Sequence, residues 1–345
     1  MKKVYIFSCF LIMFINSCLS NKENKTEKFQ KHRNKIANIK GEIIDIKTDI
    51  NFRYPHLYII DSILVISDSH LNMMYGIHLF NKKTFKYIKS TGILGRGPGE
   101  IVNLGYIGID QKNKVLWVAD YGKKVQWKFY LDSVLNNDMY KPKGFVKINY
   151  DMFMERYGFL NDSVILGKTV RILPDHSFVK VMAKLNLNTN DIEVYGYEHP
   201  ECSGKRSSSV FKMSIKNNMY VNGYFYCDLM TICDLDGRLK YNVYGPGWLK
   251  NIDNNNNYFF GLDFINGHII ASFLGDEGIY YDENKRLRGN IPTKFLVFDL
   301  RGDYIETIET EHKILSFCVD EKNNRVIAYF EDREPPLGYF DFNFE

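Results

Sequence analysis

Apolar residues along this chain come in short runs cut by polar turn residues, and nowhere do they recur at helical spacing. The most regular unit is an apolar run, a polar turn and a second apolar run, which reads as a β-hairpin. It begins with Tyr58 to Ile66 around Asp61-Ser62 and Tyr106 to Val118 around Lys112-Asn113. Then come Tyr157 to Leu166 around Asn161-Asp162, Met213 to Val221 around Asn217-Asn218, Leu262 to Ile270 around Asn266-Gly267, and Ser316 to Ala328 around Lys322-Asn323. From each turn to the next the separations are 51, 49, 56, 49 and 56 residues. A repeat of about 50 residues suits a four-stranded blade better than two packed sheets.

A second, less regular hairpin follows most of these units. Its turns are Asn81-Lys82-Lys83, Asn188-Thr189-Asn190, Asp236-Gly237 and Arg301-Gly302. Asp-Gly is a strong turn signal, because the favoured hairpin turn needs positive φ at both central positions. The chain holds 24 Tyr and 25 Phe residues, which favour strands. The expected fold is therefore all-β, a six-bladed β-propeller of four-stranded antiparallel blades over residues 41–345. The strand-like stretch 41–47 has no partner ahead of it, and Tyr339 to Phe344 has none behind it. Pairing the two completes the last blade with an N-terminal strand and leaves neither edge bare.

One stretch, Thr91 to Asp132, carries a more specific pattern. Gly95, Gly97, Pro98, Gly99, Glu100 and Ile101 form a glycine-rich entry. Leu116-Trp117-Val118-Ala119-Asp120 and Lys128-Phe129-Tyr130-Leu131-Asp132 then follow as strands. This order resembles an NHL repeat, a unit of one group of β-propellers. The Gly-Arg-Gly-Pro-Gly-Glu loop resembles that of the TolB-like six-bladed propeller lipoproteins of gut and oral bacteria. That resemblance implies a propeller fold and an envelope location, and it implies no settled catalytic residues.

Residues 1–17 read as a lipoprotein signal peptide. Lys2 and Lys3 are its positive start, Val4 to Ile15 its apolar core, and Ile15-Asn16-Ser17-Cys18 a lipobox-like end. Cys18 is then the lipidation site, carrying fatty acyl chains such as palmitate, and the polar residues up to 40 form a flexible tether. The expected location is the bacterial cell envelope, lipid-anchored at the outer membrane, with the membrane as a partner. Without Lys2 and Lys3 the chain keeps 43 Lys and Arg against 41 Asp and Glu. Such a balance, with cations scattered, argues against nucleic acid as a partner. Cys202, Cys227, Cys233 and Cys318 remain, and Cys227 and Cys233 flank one turn. They read either as small buried hydrophobes or as a bonded pair.

The hairpin turns are short, whereas the other set of connections is longer and chemically richer, and binding usually lives on such loops. Arg96, Glu100, Arg156 and Trp248 are the ligand-binding candidates. Arg96 and Glu100 can face a ligand or bridge each other to shape their loop; Trp248 can stack on a flat ligand or pack its own loop. Asp276 and Glu277 are adjacent and poorly placed as an opposed acid and base. No nucleophile elbow, zinc helix motif, phosphate loop or dinucleotide fingerprint occurs, so no catalytic residue is assigned. The leading expectation is a binding or interaction lipoprotein, taking a small polar ligand, a glycan or an envelope protein on its long-loop face, with no cofactor and no metal site. The alternative is a metal-dependent propeller hydrolase or lyase of the lactonase kind, with a divalent metal on channel carboxylates.

Overall fold

The computed structural model describes residues 26–70, 73–142, 144–148, 152–202, 204–248 and 255–343. The expected signal peptide, Cys18 and the first part of the tether lie outside these residues. Among the described residues no helix is long and apolar enough to cross a membrane.

Six antiparallel sheets form a six-bladed propeller, and all six hairpins of the repeat are the first two strands of a blade. Blade 1 runs His56–Ile60, Ile63–Ser67, Tyr75–Asn81 and Tyr87–Ile93. Blade 2 runs Leu104–Asp110, Val115–Asp120, Val125–Tyr130 and Phe145–Lys147, with a helix over Leu131–Asn136 before its last strand. Blade 3 is Met152–Phe159, Val164–Ile172, Phe178–Asn186 and Ile192–Val194. Blade 4 is Ser209–Ser214, Met219–Tyr224, Leu229–Asp234 and Leu239–Tyr244. Blade 5 is Asn256–Ile265, His268–Glu277, Lys294–Asp299 and Tyr304–Glu309, with a small hairpin, Ile279–Tyr281 and Leu287–Gly289, inserted after its second strand. Blade 6 begins with Ile314–Asp320, Arg325–Phe330 and Leu337–Asp341.

The second strands of blades 1, 2, 4 and 6 are buried at every position. Neighbouring blades cover both their faces, which is why they read as unbroken apolar runs rather than alternating ones. Contact between blades is close enough to demand small residues. A Cβ on Gly108 of blade 2 would come within 2.4 Å of the Tyr157 ring of blade 3.

Three N-terminal strands lie on the outer edges of blades, and one of them closes the ring. β1 (Glu27–Phe29) runs parallel to the outer strand of blade 4, and β2 (Ile36–Asn38) parallel to that of blade 5. β3 (Ile44–Asp45) pairs antiparallel with Leu337–Asp341 and completes blade 6, as the end-pairing argument expects. The expectation of a free tether reaching residue 40 needs correction, because residues 26–40 strap the outer edges of two blades. Backbone hydrogen bonds to an otherwise bare edge need no apolar pattern, so the polar sequence hid them. The strap is also anchored by side chains. Phe29 stacks on Tyr244 with ring centroids 4.5 Å apart, and the Arg33 guanidinium meets the buried Asp228 carboxylate at 2.8 Å.

Where blade 6 meets blade 1, a buried ionic network joins first and last blades. Lys82 Nζ lies 3.0 Å from Asp320 Oδ1, and Arg325 Nη2 lies 3.2 Å from Oδ2 and also donates to the Lys82 carbonyl. Burial pushes the Asp320 carboxyl up, but hydrogen bonds from Asn323 and Lys82 outweigh it and hold the group ionised, below its usual range.

Candidate functional site

The loops entering the blades are pinned by carboxylates at the ends of second strands. Asp68 accepts from the Tyr54 and His70 amides, Asp120 from those of Val102, Asn103, Gly122 and Lys123, and Asp332 from that of Lys313. The aspartate of Val118-Ala119-Asp120 is therefore a loop anchor. Burial raises the Asp68 carboxyl, yet the Arg53 and Tyr54 amides and His70 bring it below its ordinary value.

Both Gly-Pro-Gly loops wrap a carboxylate in the same manner. Glu100 Oε2 accepts from the Gly97 amide at 2.7 Å, and a Cβ on Gly95 would stand 2.3 Å from that oxygen. Lys123 Nζ donates to the Gly97 and Glu100 carbonyls at 2.6 and 2.8 Å, so the loop is braced from within. Glu100 thus shapes the loop, but through Gly97, with Lys141 at 3.8 Å as its charged neighbour, and Arg96 points into solvent. In the second loop a Cβ on Gly245 would fall 2.1 Å from Asp228, whose Oδ2 accepts from the Gly247 amide at 3.0 Å. Trp248 packs on Tyr244 and His199, with centroids at 4.9 and 5.4 Å.

Arg156 is the one candidate that lines the central channel, a cavity of about 1060 Å³ walled by the first strands of all six blades. The structure does not bring Arg96, Glu100 or Trp248 to it. Arg156 follows a β-bulge, the register of its strand shifting between Met154 and Arg156. An extra residue there re-aims the side chains that follow. The walls nearby carry His56 and Tyr58 from blade 1 and Tyr106 and Tyr121 from blade 2. Tyr58 and Tyr106 meet edge to face at 6.0 Å, and the Tyr106 hydroxyl donates to the Tyr157 carbonyl at 3.1 Å. Phe260 and Phe317 add apolar surface from blades 5 and 6.

Charge on the wall is almost wholly matched. Glu155 meets Lys180 at 2.8 Å, Asp263 meets Lys212 at 2.9 Å, Asp61 meets Lys114 at 2.9 Å, and Glu321 meets Lys216 at 2.9 Å. Asp162 meets Lys112 at 2.5 Å, Asp110 is held by Asn113, and Asp68 and Asp320 are engaged as described. Among the described residues, Arg156 and the exposed turn residue Lys322 are the wall cations with no carboxylate within 4.0 Å.

The field of Arg156 is felt locally. Burial first, and then the Arg156 charge, lowers the His56 pKa, so this imidazole is neutral at neutral pH although the residue keeps exposed surface. Burial raises the Tyr121 hydroxyl to about 12, and Tyr58 and Tyr106 are raised for the same reason. All three are therefore neutral hydrogen-bonding groups. A guanidinium among phenols and a neutral imidazole can grip an anionic group by charge-assisted hydrogen bonds, with aromatic faces for the rest of a small molecule. Among the described residues no group of three His, Cys, Asp or Glu side chains is placed to hold a metal ion.

His56, Tyr58 and Tyr106 were within reach of sequence reasoning. They precede the hairpin turns, and a search along channel-facing positions of first strands, rather than along loops, would have found them.

Among the solved structures that this chain resembles are two of similar fold. A member of the DUF4221 family from Bacteroides vulgatus ATCC 8482 superposes with a TM-score of 0.59 at 11% identity, covering 86% of this chain and 94% of that one. A protein of Bacteroides fragilis NCTC 9343, provisionally described as exported, gives 0.53 at 10% identity, covering 89% and 88%. At such identity the likeness concerns the fold alone. No curated protein matches the chain. The family described as TolB-like 6-blade propeller-like matches residues 29–322, nearly the whole propeller, and the chain belongs to that family.

Proposed function

We propose that this protein is an envelope-anchored binding lipoprotein whose propeller channel holds a small anionic ligand against Arg156. One observation carries the reading: every described carboxylate on the channel wall is engaged, while the Arg156 guanidinium has no counter-ion within 4.0 Å among the described residues. Leaving a cation half-buried without a partner is costly, and an arriving carboxylate or sulfate removes that cost. Tyr58, Tyr106 and Tyr121 supply neutral hydroxyls and ring faces, which suits recognition better than acid–base chemistry. The leader pattern ending at Cys18 and the provisional description of the B. fragilis propeller as exported support an envelope location.

The test is a thermal-shift screen of the protein with small carboxylates, sulfated compounds and their uncharged analogues. A bound anion at a hundredfold excess over its dissociation constant stabilises the fold by about 2.7 kcal/mol. The shift should vanish in Arg156→Gln, weaken in Arg156→Lys and persist in Arg96→Ala. Equal shifts in wild type and Arg156→Gln would reject the site. Lipid anchoring is tested separately: a fatty-acid probe should label the wild type and not Cys18→Ala.

A further inference from the structure

The four cysteines left after the leader do not share one environment. Cys233 lies on the third strand of blade 4 and packs with Leu166, Met182, Phe211 and Tyr220. Cys318 is in the core between blades 6 and 1, with Ile327 and Leu337. Cys202 and Cys227 share a third, small apolar cluster with Tyr224, Leu229 and Tyr244, beneath Trp248. Their sulfur atoms are 3.7 Å apart, and each residue is 3% exposed. Sequence proximity had drawn attention to Cys227 and Cys233, whereas the fold opposes Cys227 to a residue of a different loop.

We propose that Cys202 and Cys227 form a structural disulfide in the exported protein, joining the loop between blades 3 and 4 to the turn between the second and third strands of blade 4. A bond needs the sulfurs at about 2.05 Å. Closing the remaining gap falls to the two side chains, because each turn is held by a backbone hydrogen bond. The Cys202 amide donates to the His199 carbonyl at 2.9 Å, and the Leu229 amide to the Cys227 carbonyl at 2.7 Å. The oxidant is a disulfide-bearing donor, either a small-molecule disulfide or an oxidised dithiol protein. One cysteine thiolate attacks the donor S–S bond and releases one donor thiol. The second displaces the other donor sulfur from the mixed disulfide. The two cysteines lose two protons and two electrons, and the donor becomes two thiols. Once formed, the bond is buried and shielded from reducing thiols. Its consequence is a permanent clip on the long-loop face, holding the segment that carries Glu198, whose carboxylate bridges Lys168 Nζ and the Met182 amide at 2.7 Å each.

The proposal rests on export to an oxidising compartment, and the experiment separates the two. Protein isolated from the cell envelope is denatured without reductant, alkylated, digested and weighed. A peptide pair joined through Cys202 and Cys227 and lighter by two hydrogens, with Cys233 and Cys318 alkylated, is the expected result. Wild type reduced while unfolded and refolded with reductant should then melt several degrees below the oxidised protein, and the same treatment should leave the Cys202→Ala/Cys227→Ala double variant unchanged. Alkylation at all four positions, or a bond that includes Cys233, overturns the proposal without needing any variant to fold. Refolding in oxidised glutathione then shows which leg failed: a Cys202–Cys227 bond formed there means the geometry was right and the compartment wrong.

Discussion

Arg325 and Arg156 both sit near aromatic rings in this propeller, and their surroundings differ in counter-ion and in burial. Arg325, at the seam of blades 6 and 1, has its guanidinium carbon 4.6 Å from the Phe85 ring centre and 4.9 Å from that of Tyr339, and it meets Asp320 at 3.2 Å. Arg156, in the channel, stands among Tyr58, Tyr106 and Tyr121 and meets no carboxylate within 4.0 Å among the described residues. At the seam a counter-ion is built in and water is excluded, so the charge serves closure. In the channel the counter-ion has to come from outside. The same residue type is structural in one place and receptive in the other, and sequence cannot separate the two.

Removing the closure should cost most. Deleting residues up to 47 takes away β3 and the buried Ile43 and Ile46, and leaves blade 6 with an open edge. Deleting only up to 40 takes away two edge straps and their Arg33–Asp228 pair. Calorimetry should find the longer deletion far less stable than the shorter; equal melting temperatures would mean that β3 does not hold the ring.

Breaking the seam by Asp320→Ala comes next. It strands Lys82 and Arg325 as buried, unmatched cations, for an expected loss of about 3–5 kcal/mol in urea unfolding. Replacing Asp320, Lys82 and Arg325 together by apolar residues of similar size should recover much of that loss. A single variant as stable as wild type would refute the seam's role.

His78 belongs to the seam through Phe52, with ring centroids 5.3 Å apart, and its Nδ1 pairs with Ser90 Oγ at 2.7 Å. Burial lowers its pKa to about 4. Its unfolded value is the ordinary one of about 6.5. Between these limits the unfolded chain binds the proton and the folded chain does not, so stability is complete above about pH 6.5 and falls as pH drops toward 4, by up to about 3 kcal/mol. His56 contributes with the same sign. Urea midpoints across this range should show less decline in His78→Gln than in wild type.

Arg156→Gln should change stability least, by no more than about 0.5 kcal/mol and toward stabilisation, since it breaks no ion pair among the described residues and removes a half-buried, unmatched charge. It should nevertheless abolish anion binding. An anion seated there also raises the His56 pKa, so binding in wild type tightens as pH falls through that group's titration, and calorimetric titration at several pH values reads the slope. The contrast between the arginines would be sharpest if Arg325 variants lost stability while Arg156 variants lost only the ligand.

The blades were legible because hairpins are local. An apolar run, an Asn, Asp or Gly turn and a second run specify strand pairing with no distant partner, and the ring followed from counting them. β3 was legible too, since an unmatched strand at each end of the chain implies a pair. The straps β1 and β2 were not, because they bind through backbone groups to edges more than 200 residues away in sequence. Glu100 and Trp248 looked like ligand residues because charged and aromatic loop side chains are ambiguous until their packing is known. The fold gives Glu100 to the Gly97 amide and Trp248 to Tyr244. Sequence by itself determined the repeat, the all-β class and the two kinds of loop, all of which rest on local propensity and periodicity. Tertiary structure alone decided which charges are matched and which cysteines meet, because both depend on atoms brought together from different blades and loops, and no spacing along the chain encodes that distance.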